Sequence, residues 1–167
     1  MRGLLPSHET FSFYMGIEQD VQQVNFRNEY QKAVINLIYT YNWMREKTSS
    51  ILDAEDITSQ QFNILRILRG SFPKPLSTLQ IRERMLDKMS DTSRIVDRLL
   101  SKELVKKVTC KVDRRLVDIT ITDKGLALLE RLDHKQDEMD GVLKKLTKKE
   151  AVTLSNLLDK VRTLDQP

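Results

Sequence analysis

The sequence predicts a mainly α-helical fold that contains one small β-hairpin. Apolar residues recur at three- and four-residue steps through most of the 167 residues, which is typical of amphipathic helices. Two short segments, residues 104–110 and 116–121, have the β-branched composition of strands, and a charged tip joins them. Two short helices with a tight turn between them precede this hairpin. That order is a winged helix-turn-helix, and the long helices on either side predict a helical dimerisation region.

Composition places the chain among ordinary globular proteins. It has 40% hydrophobic and 31% charged residues. A single cysteine cannot form a disulfide within the chain and favours a reducing compartment. No apolar run approaches the roughly 18–20 residues that a membrane helix needs. We therefore expect a cytoplasmic protein with no membrane partner.

Three parts of the chain have different expected roles. Residues 1–24 show no apolar period and are expected to form a flexible N-terminal arm. Residues 25–55 and 125–167 are expected to form the helical dimerisation region, because long helices with apolar stripes are marginal without a packing partner. Residues 56–124 are expected to form the winged helix-turn-helix lobe.

Helix positions follow from the apolar stripes and the capping residues. One helix is predicted over residues 25–52 and another over about 123–145. The helix-turn-helix is predicted as helices over about 58–69, from residue 77, and from 90 to about 102. The expected caps are Thr58 or Ser59, Ser77 with Gln80, Ser90 or Asp91, Thr122, and Thr147 with Glu150. The short helix from residue 77 is expected to bury Leu79, Ile81, Met85 and Leu86.

The third helix has the features of a helix that enters a major groove. At 100° per residue its apolar residues fall on one side, and Arg94 lies nearly opposite to them. An arginine can bind guanine O6 and N7 together, and hydroxyls can reach phosphates or base edges. The residues of this helix predicted to bind DNA are Ser90, Asp91, Thr92, Ser93, Arg94 and Arg98. The alternative is an ordinary amphipathic helix whose polar face meets only solvent.

The hairpin tip is a second candidate for contact with DNA. Asp113, Arg114 and Arg115 lie between the two strands, and an exposed arginine there can enter the minor groove. Asp113 can hold such an arginine in one rotamer by a charge-assisted hydrogen bond. Residues 82–124 carry twelve Lys and Arg against eight Asp and Glu, whereas the rest of the chain is balanced. This local excess is what a polyanionic partner would require.

The wing residues resemble the signature of a known family. Asp113-x-Arg115-x5-Ile121-Thr122-x2-Gly125 is similar to the D-x-R-x5-L-T-x2-G motif of the MarR (multiple antibiotic resistance regulator) family, with isoleucine in place of leucine. Ser93-Arg94-Ile95-Val96-Asp97-Arg98-Leu99 also resembles the core of that family's recognition helix. The resemblance extends over nearly the whole chain and includes the order of all elements.

The resemblance implies how the protein is built and what it binds. MarR-type proteins are homodimers that straddle a pseudo-palindromic operator in double-stranded DNA, with recognition helices in major grooves and wings at minor grooves. It implies that Arg115 is the minor-groove residue and that Asp113 orients it. The family usually has glycine at the position of Glu103, where a glutamate in a left-handed cap costs about 1 kcal/mol. Either Glu103 adopts that conformation or the helix ends in another way.

The resemblance also implies a small-molecule ligand. Many family members bind small aromatic acids in a crevice, for which Tyr39, Trp43 and Arg45 are candidate ligand-binding residues; the alternative is that these residues belong to the core or the dimer interface. We expect a sequence-specific DNA-binding transcriptional regulator, a repressor that a ligand relieves. The alternative function is a winged-helix module that binds protein without binding DNA.

Other functions have no support in the sequence. His8 and His134 lack neighbouring ligands at metal-binding spacing, so no metal site is expected. The chain has no glycine-rich phosphate loop, nucleophile elbow or paired catalytic carboxylates. We therefore expect neither a cofactor nor an enzyme.

Overall fold

A computed structural model of the chain describes residues 16–109 and 117–163. These residues contain eight α-helices and a three-stranded sheet. The elements in chain order are α1 (Ile17–Asp20), α2 (Glu29–Asp53), α3 (Ser59–Ser71), β1 (Leu76–Ser77), α4 (Thr78–Arg84), α5 (Thr92–Ser101), β2 (Val105–Thr109), β3 (Val117–Ile121), α6 (Asp123–Asp133), α7 (Gln136–Asp140), a 3-10 turn (Gly141–Leu143) and α8 (Lys148–Arg162). None of these helices has the length and apolar content needed to span a bilayer. The chain divides within α2 into two compact units, one ending at Met44 and the other beginning at Arg45.

The first unit contains α1 and the beginning of α2. Helix α1 lies inside the segment expected as an N-terminal arm, and its Glu18 forms an ion pair with Lys32 of α2. The Asn28 side-chain oxygen accepts a hydrogen bond from the Gln31 backbone N–H at 2.9 Å. An asparagine in this position satisfies a free N–H of the first turn. Helix α2 therefore begins after Asn28, four residues later than the sequence predicted.

The second unit has one apolar core, to which α2 contributes only its last turns. The buried apolar residues are Leu52, Ile57, Ile64, Leu65, Leu68, Leu76, Ile81, Met85, Val96, Leu99, Leu104, Val105, Ile119, Ile121, Leu128, Leu129 and Leu132. They come from helices α2 to α6, from all three strands and, for Ile57, Met85 and Leu104, from the residues that connect these elements. The helix-turn-helix, the sheet and α6 therefore share this core.

Local capping residues set the helix starts as the sequence predicted. Thr58 and Ser77 each form a complete capping box, in which the side chain of Gln61 or Gln80 accepts a hydrogen bond from the cap backbone. Thr122 caps α6, Thr147 with Glu150 caps α8, and Asp91 rather than Ser90 caps α5. Each such cap satisfies backbone donors that would otherwise lack a partner.

The sheet has the strand order β1-β3-β2 and is antiparallel throughout. Its β2–β3 ladder runs from Val105 opposite Ile121 to Thr109 opposite Val117, which confirms the predicted hairpin strands. Strand β1 was not predicted, because two residues are too few to show an alternating pattern. The tip, residues 110–116 with Asp113, Arg114 and Arg115, lies outside the described residues.

The helix predicted over 123–145 is divided. Helix α6 ends at Asp133, and α7 and the 3-10 turn follow it. No residue from 136 to 143 is fully buried. Helices in proteins gain most of their stability from packing, so this segment lacks what would hold a single long helix.

Glu103 ends α5 in the left-handed conformation, with φ 59°. The Leu104 N–H donates to the Leu99 carbonyl at 3.0 Å and the Glu103 N–H to the Leu100 carbonyl at 2.9 Å. These two bonds form a Schellman motif, whose C′ position usually holds glycine. The first of the two alternatives for this helix end is therefore confirmed.

Gly125 of the wing signature is required by close packing. A Cβ atom on Gly125 would lie 2.3 Å from the Leu104 carbonyl oxygen and 2.7 Å from Ile121 Cγ1. Its φ is not positive, so the reason is space and not backbone conformation. Gly125 thus allows the first turn of α6 to lie directly against the start of β2, which sets where the hairpin leaves the lobe.

Candidate nucleic-acid interface

Helix α5 lies on the lobe with its apolar side inward. Val96 and Leu99 are buried, and Ile95 and Leu100 pack against the core from partly buried positions. Arg94 lies on the opposite, exposed side. The inward and outward faces predicted from the helical period are confirmed.

Two guanidinium groups project from the exposed side of α5 without a protein partner. Within residues 16–109 and 117–163, the side chains of Arg94 and Arg98 form no hydrogen bond or ion pair, and both residues are exposed. Asp97, also exposed, lies 3.9 Å from the Lys107 ammonium of β2. The carboxylate of Asp97 therefore meets Lys107 rather than either arginine, and both guanidiniums are free to bind an anion or a base edge.

The residues before α5 have separate roles. The Asp91 carboxylate accepts a hydrogen bond from the Arg94 backbone N–H at 3.1 Å and so caps the helix. Ser93 is exposed and Ser90 is half-buried. Thr92 was predicted to bind DNA, and the structure contradicts this: Thr92 is only 4% exposed. Its hydroxyl lies 3.3 Å from Met85 Sδ, so it joins the first turn of α5 to the end of α4.

The turn between α4 and α5 is held by Asp87. The Ser90 hydroxyl donates to Asp87 Oδ2 at 2.6 Å, and the Met89 backbone N–H donates to Asp87 Oδ1 at 3.0 Å. These hydrogen bonds lower the pKa of Asp87 below its ordinary value. The Leu86 N–H donates to the side-chain oxygen of Asn63 at 2.9 Å, which fixes the turn to α3. Hydrogen bonds to the side chains of Asp87 and Asn63 thus fix the geometry of the turn.

Two residues predicted to lie in the core are on the surface. Ile81 and Met85 are buried as expected, but Leu79 and Leu86 are exposed. Leu79 lies on the side of α4 opposite to Ile81, and Leu86 comes after the end of α4 at Arg84, where the helical period no longer applies. The prediction of one inward face for all four residues was therefore wrong.

The C-terminal end of α5 is tied to the rest of the lobe by ion pairs. Lys102 bonds to both the carbonyl and the carboxylate of Asp56, and the Lys124 ammonium lies 3.0 Å from Glu103 Oε2. These pairs are largely exposed, so they contribute little to folding stability. They attach the C-terminal end of α5 to the lobe. The N-terminal half of α5, which carries Arg94, is left open to a partner.

Comparisons with known proteins place the chain in a family. The MarR family model matches residues 57–117, which run from the start of α3 into β3. A Bacillus subtilis HTH-type transcriptional regulator, YpoP, is 30% identical over 98 residues, which are 59% of this chain and 67% of that protein. A crystal structure of a MarR transcription factor from Planctomyces limnophilus is 32% identical and has a TM-score of 0.62. It covers 81% of this chain and 98% of its own.

The chain belongs to the MarR family of transcriptional regulators.

Another similar structure is a MarR protein bound to DNA. A cysteine-to-serine variant of MarR from Escherichia coli was crystallised in complex with operator DNA. It is 26% identical to this chain, has a TM-score of 0.72, and covers 82% of this chain and 98% of its own. The mainly helical fold with a small sheet is thus that of the MarR family, as the sequence predicted.

The sequence did not predict that α4 contributes side chains to the surface beside the start of α5 in this MarR-family lobe. A concavity of about 470 Å³ lies between the start of α4 and the N-terminal end of α5. Its lining residues are Thr78, Leu79, Arg82, Met89, Ser90, Asp91, Thr92 and Ser93. Four of these were predicted to bind DNA. The helical period places Leu79 opposite to Ile81 and so outside the core. That signal could have identified this side of α4 as part of the candidate interface.

Proposed function

We propose that this chain is a transcriptional repressor that binds a pseudo-palindromic operator in double-stranded DNA as a homodimer. A small-molecule ligand would relieve repression by favouring a lobe spacing that no longer matches the operator. We propose the cytoplasm as the compartment of this activity.

The exposed side of α5 supports binding to DNA most directly. It carries two guanidiniums, Arg94 and Arg98, that have no partner among the described residues, on a capped helix in a fold whose Escherichia coli relative was crystallised with operator DNA. Arginine binds guanine edges and phosphates bidentately, and a free guanidinium has no competing protein bond to break. Ser90, Asp91 and Ser93 are proposed to contact DNA beside them.

Exposed apolar stripes support the homodimer. On α2, Val34, Leu37 and Ile38 are each at least half exposed, and on α8 the same holds for Leu157 and Val161. Helices that keep an apolar stripe in water lack the packing from which most helix stability comes. A second copy of the chain, presenting the same stripes, is the proposed partner for both helices.

Two further parts of the proposal come from the resemblance. Arg115, with Asp113 and Arg114 beside it, is proposed to contact the minor groove from the wing. Tyr39, Trp43 and Arg45 of α2 are proposed to contact the ligand; Tyr39 and Trp43 are each 39% exposed. Aromatic rings at this exposure are available to a flat ligand and equally to a partner helix.

DNA selection followed by a charge-matched comparison tests the proposal. Duplexes that the purified protein retains from a randomised library supply the probe. We expect its affinity for a retained duplex to fall steeply with salt concentration, as phosphate contacts require. Arg94→Ala should weaken binding on the order of ten- to a hundredfold at fixed salt. The control is Arg66→Ala, which removes an exposed charge near Phe62 on α3 of the same lobe.

The outcome separates DNA binding from protein binding. Retention of no duplex, or an affinity that does not change with salt, would contradict the proposal and favour a module that binds protein. Equal losses in Arg94→Ala and Arg66→Ala would show that general charge, and not the α5 surface, accounts for binding.

A further inference from the structure

Three large apolar side chains of α4 and of the turn that follows it are exposed to solvent. Leu79 is 63% exposed, Leu86 is 89% exposed and Met89 is 93% exposed. Single exposed apolar residues are common on protein surfaces and need no explanation. Two of these three, however, line the same concavity of about 470 Å³ beside the N-terminal end of α5.

The rest of that concavity is polar and carries a cation. Arg82 of α4 lines it together with Ser93 and Asp91 of the α5 start, and Arg94 follows one residue further along α5. An apolar wall with a guanidinium and a hydroxyl beside it suits a partner that is itself mostly polar and anionic but has small apolar groups. Duplex DNA has this character in its major groove, where the C5-methyl of thymine is an apolar group among donors and acceptors.

The backbone that carries the two apolar side chains is held in position before any partner arrives. Two hydrogen bonds from residues 89 and 90 to the Asp87 carboxylate hold the backbone of Met89 in the turn. Leu79 is fixed on α4 by the capping box of Ser77 with Gln80. A contact with a group as small as a methyl needs this kind of preorganisation, because little binding energy is available to order a loop.

We propose that Leu79 and Met89 contact thymine C5-methyl groups in the major groove, and that they thereby make the protein select thymine at defined operator positions. The proposal rests on the proposed function and adds a specificity determinant that the arginines of α5 do not supply. Its surface is continuous with the exposed side of α5, so one docking of the lobe brings both to the DNA. Arg82 complements the phosphates on the concavity side.

Removal of single methyl groups from DNA tests this directly. In a duplex that wild-type protein retains from a randomised library, each thymine is replaced in turn by deoxyuridine, which lacks only the C5-methyl. We expect a loss of about fourfold in affinity at one or two positions in each half-site, the value for one buried methyl group. Elsewhere in the duplex the replacement should have no effect.

Protein variants then assign the effect to residues. Leu79→Ala and Met89→Ala, singly and together, should bind the thymine duplex more weakly and lose the penalty for deoxyuridine, because the two changes remove opposite sides of the same contact. Leu86→Ala is the matched control: Leu86 is as exposed as Met89 and lies on the same turn, but it does not line the concavity. It should keep the full penalty.

The possible outcomes are distinct. If wild-type protein binds the duplex with a steep salt dependence but tolerates deoxyuridine at every position, the proposed function stands and this inference is overturned. If Leu79→Ala/Met89→Ala retains the whole penalty, or alters oligomeric state instead, the two residues do not read thymine. If no duplex is bound at all, it is the proposed function that fails.

Discussion

Gly125→Ala is the substitution whose cost the structure defines most closely. The added Cβ would lie 2.3 Å from the Leu104 carbonyl oxygen and 2.7 Å from Ile121 Cγ1, well inside contact distance for both atoms. The Leu104 carbonyl oxygen is a backbone atom and the Ile121 side chain is buried. A change of rotamer therefore cannot relieve the clash. The α6 start or the β2 start must move instead.

Overpacking of this kind costs about 1–3 kcal/mol, and the higher helix propensity of alanine offsets at most about 1 kcal/mol of it. An approach of 2.3 Å to a backbone atom belongs to the upper part of that range, about 2–3 kcal/mol, so after the full offset we expect a net loss of about 1–2 kcal/mol in the free energy of unfolding. For a chain of this length that lowers Tm by roughly 2–8 °C.

The matched control is the same substitution at Gly70 of α3. A Cβ on Gly70 meets no atom within 4 Å, and its φ is not positive. Gly70→Ala should therefore raise the free energy of unfolding by about 0.5–1 kcal/mol. Denaturant and thermal unfolding of both variants are compared at one protein concentration, because stability of a dimer depends on concentration. A Gly125→Ala protein as stable as wild type would refute the packing argument for the wing signature.

Two further predictions concern the ends of α5. Glu103→Gly should raise the free energy of unfolding by about 1 kcal/mol, because glycine adopts a positive φ without strain and the exposed ion pair with Lys124 contributes little. The control, Glu103→Ala, keeps the strain and should not stabilise the protein. A gain in both variants would point to the lost charge instead. At the other end, Asp87 has a lowered pKa, so its bonds to Met89 and Ser90 stabilise the turn above the unfolded pKa of aspartate and are lost as pH falls through the lowered value. Amide NMR of Met89 should report this transition below the usual aspartate range, and Asp87→Asn should abolish it; a Met89 signal that does not respond to pH contradicts the assignment.

Elements governed by local sequence were the ones that could be predicted. Caps such as Thr58 and Ser77 act on backbone groups three residues away, so the sequence alone contains the interaction. The left-handed Glu103 was foreseen as one of two alternatives, because the family that the chain resembles usually has glycine at this position. The turn at Asp87 also had a local signal, since aspartate commonly accepts hydrogen bonds from the residues that follow it.

Two predictions were wrong because the direction of a side chain was inferred from its residue type and not from the helical period. Thr92 precedes Val96 by four residues and Leu99 by seven, which puts its side chain on the buried side of α5. Leu79 is apolar and was assigned to the core for that reason, although the helical period opposes it to Ile81. Both corrections were available from the sequence, and both change which side chains face the proposed DNA.

Other features depend on tertiary structure that no local pattern contains. Strand β1 exists because Leu76 and Ser77 pair with Ile119 and Asp118, more than forty residues away. The end of α6 at Asp133 coincides with a bidentate bond to Arg69 of α3, at 2.6 and 3.1 Å. The close approach of Leu104 to Gly125 likewise appears only when the lobe is assembled.

The central claim is that α5 enters the major groove of an operator. A DNA-cleaving iron chelate attached to a cysteine at Ser93, in a Cys110→Ser background, tests it most directly, because Ser93 is exposed on α5. The prediction is cleavage at two sites related by the operator symmetry and separated by about one helical turn or a multiple of it. The same chelate at Glu130, exposed on α6, should not cleave at those positions. Absence of cleavage from residue 93, or an identical pattern from residue 130, would contradict the account.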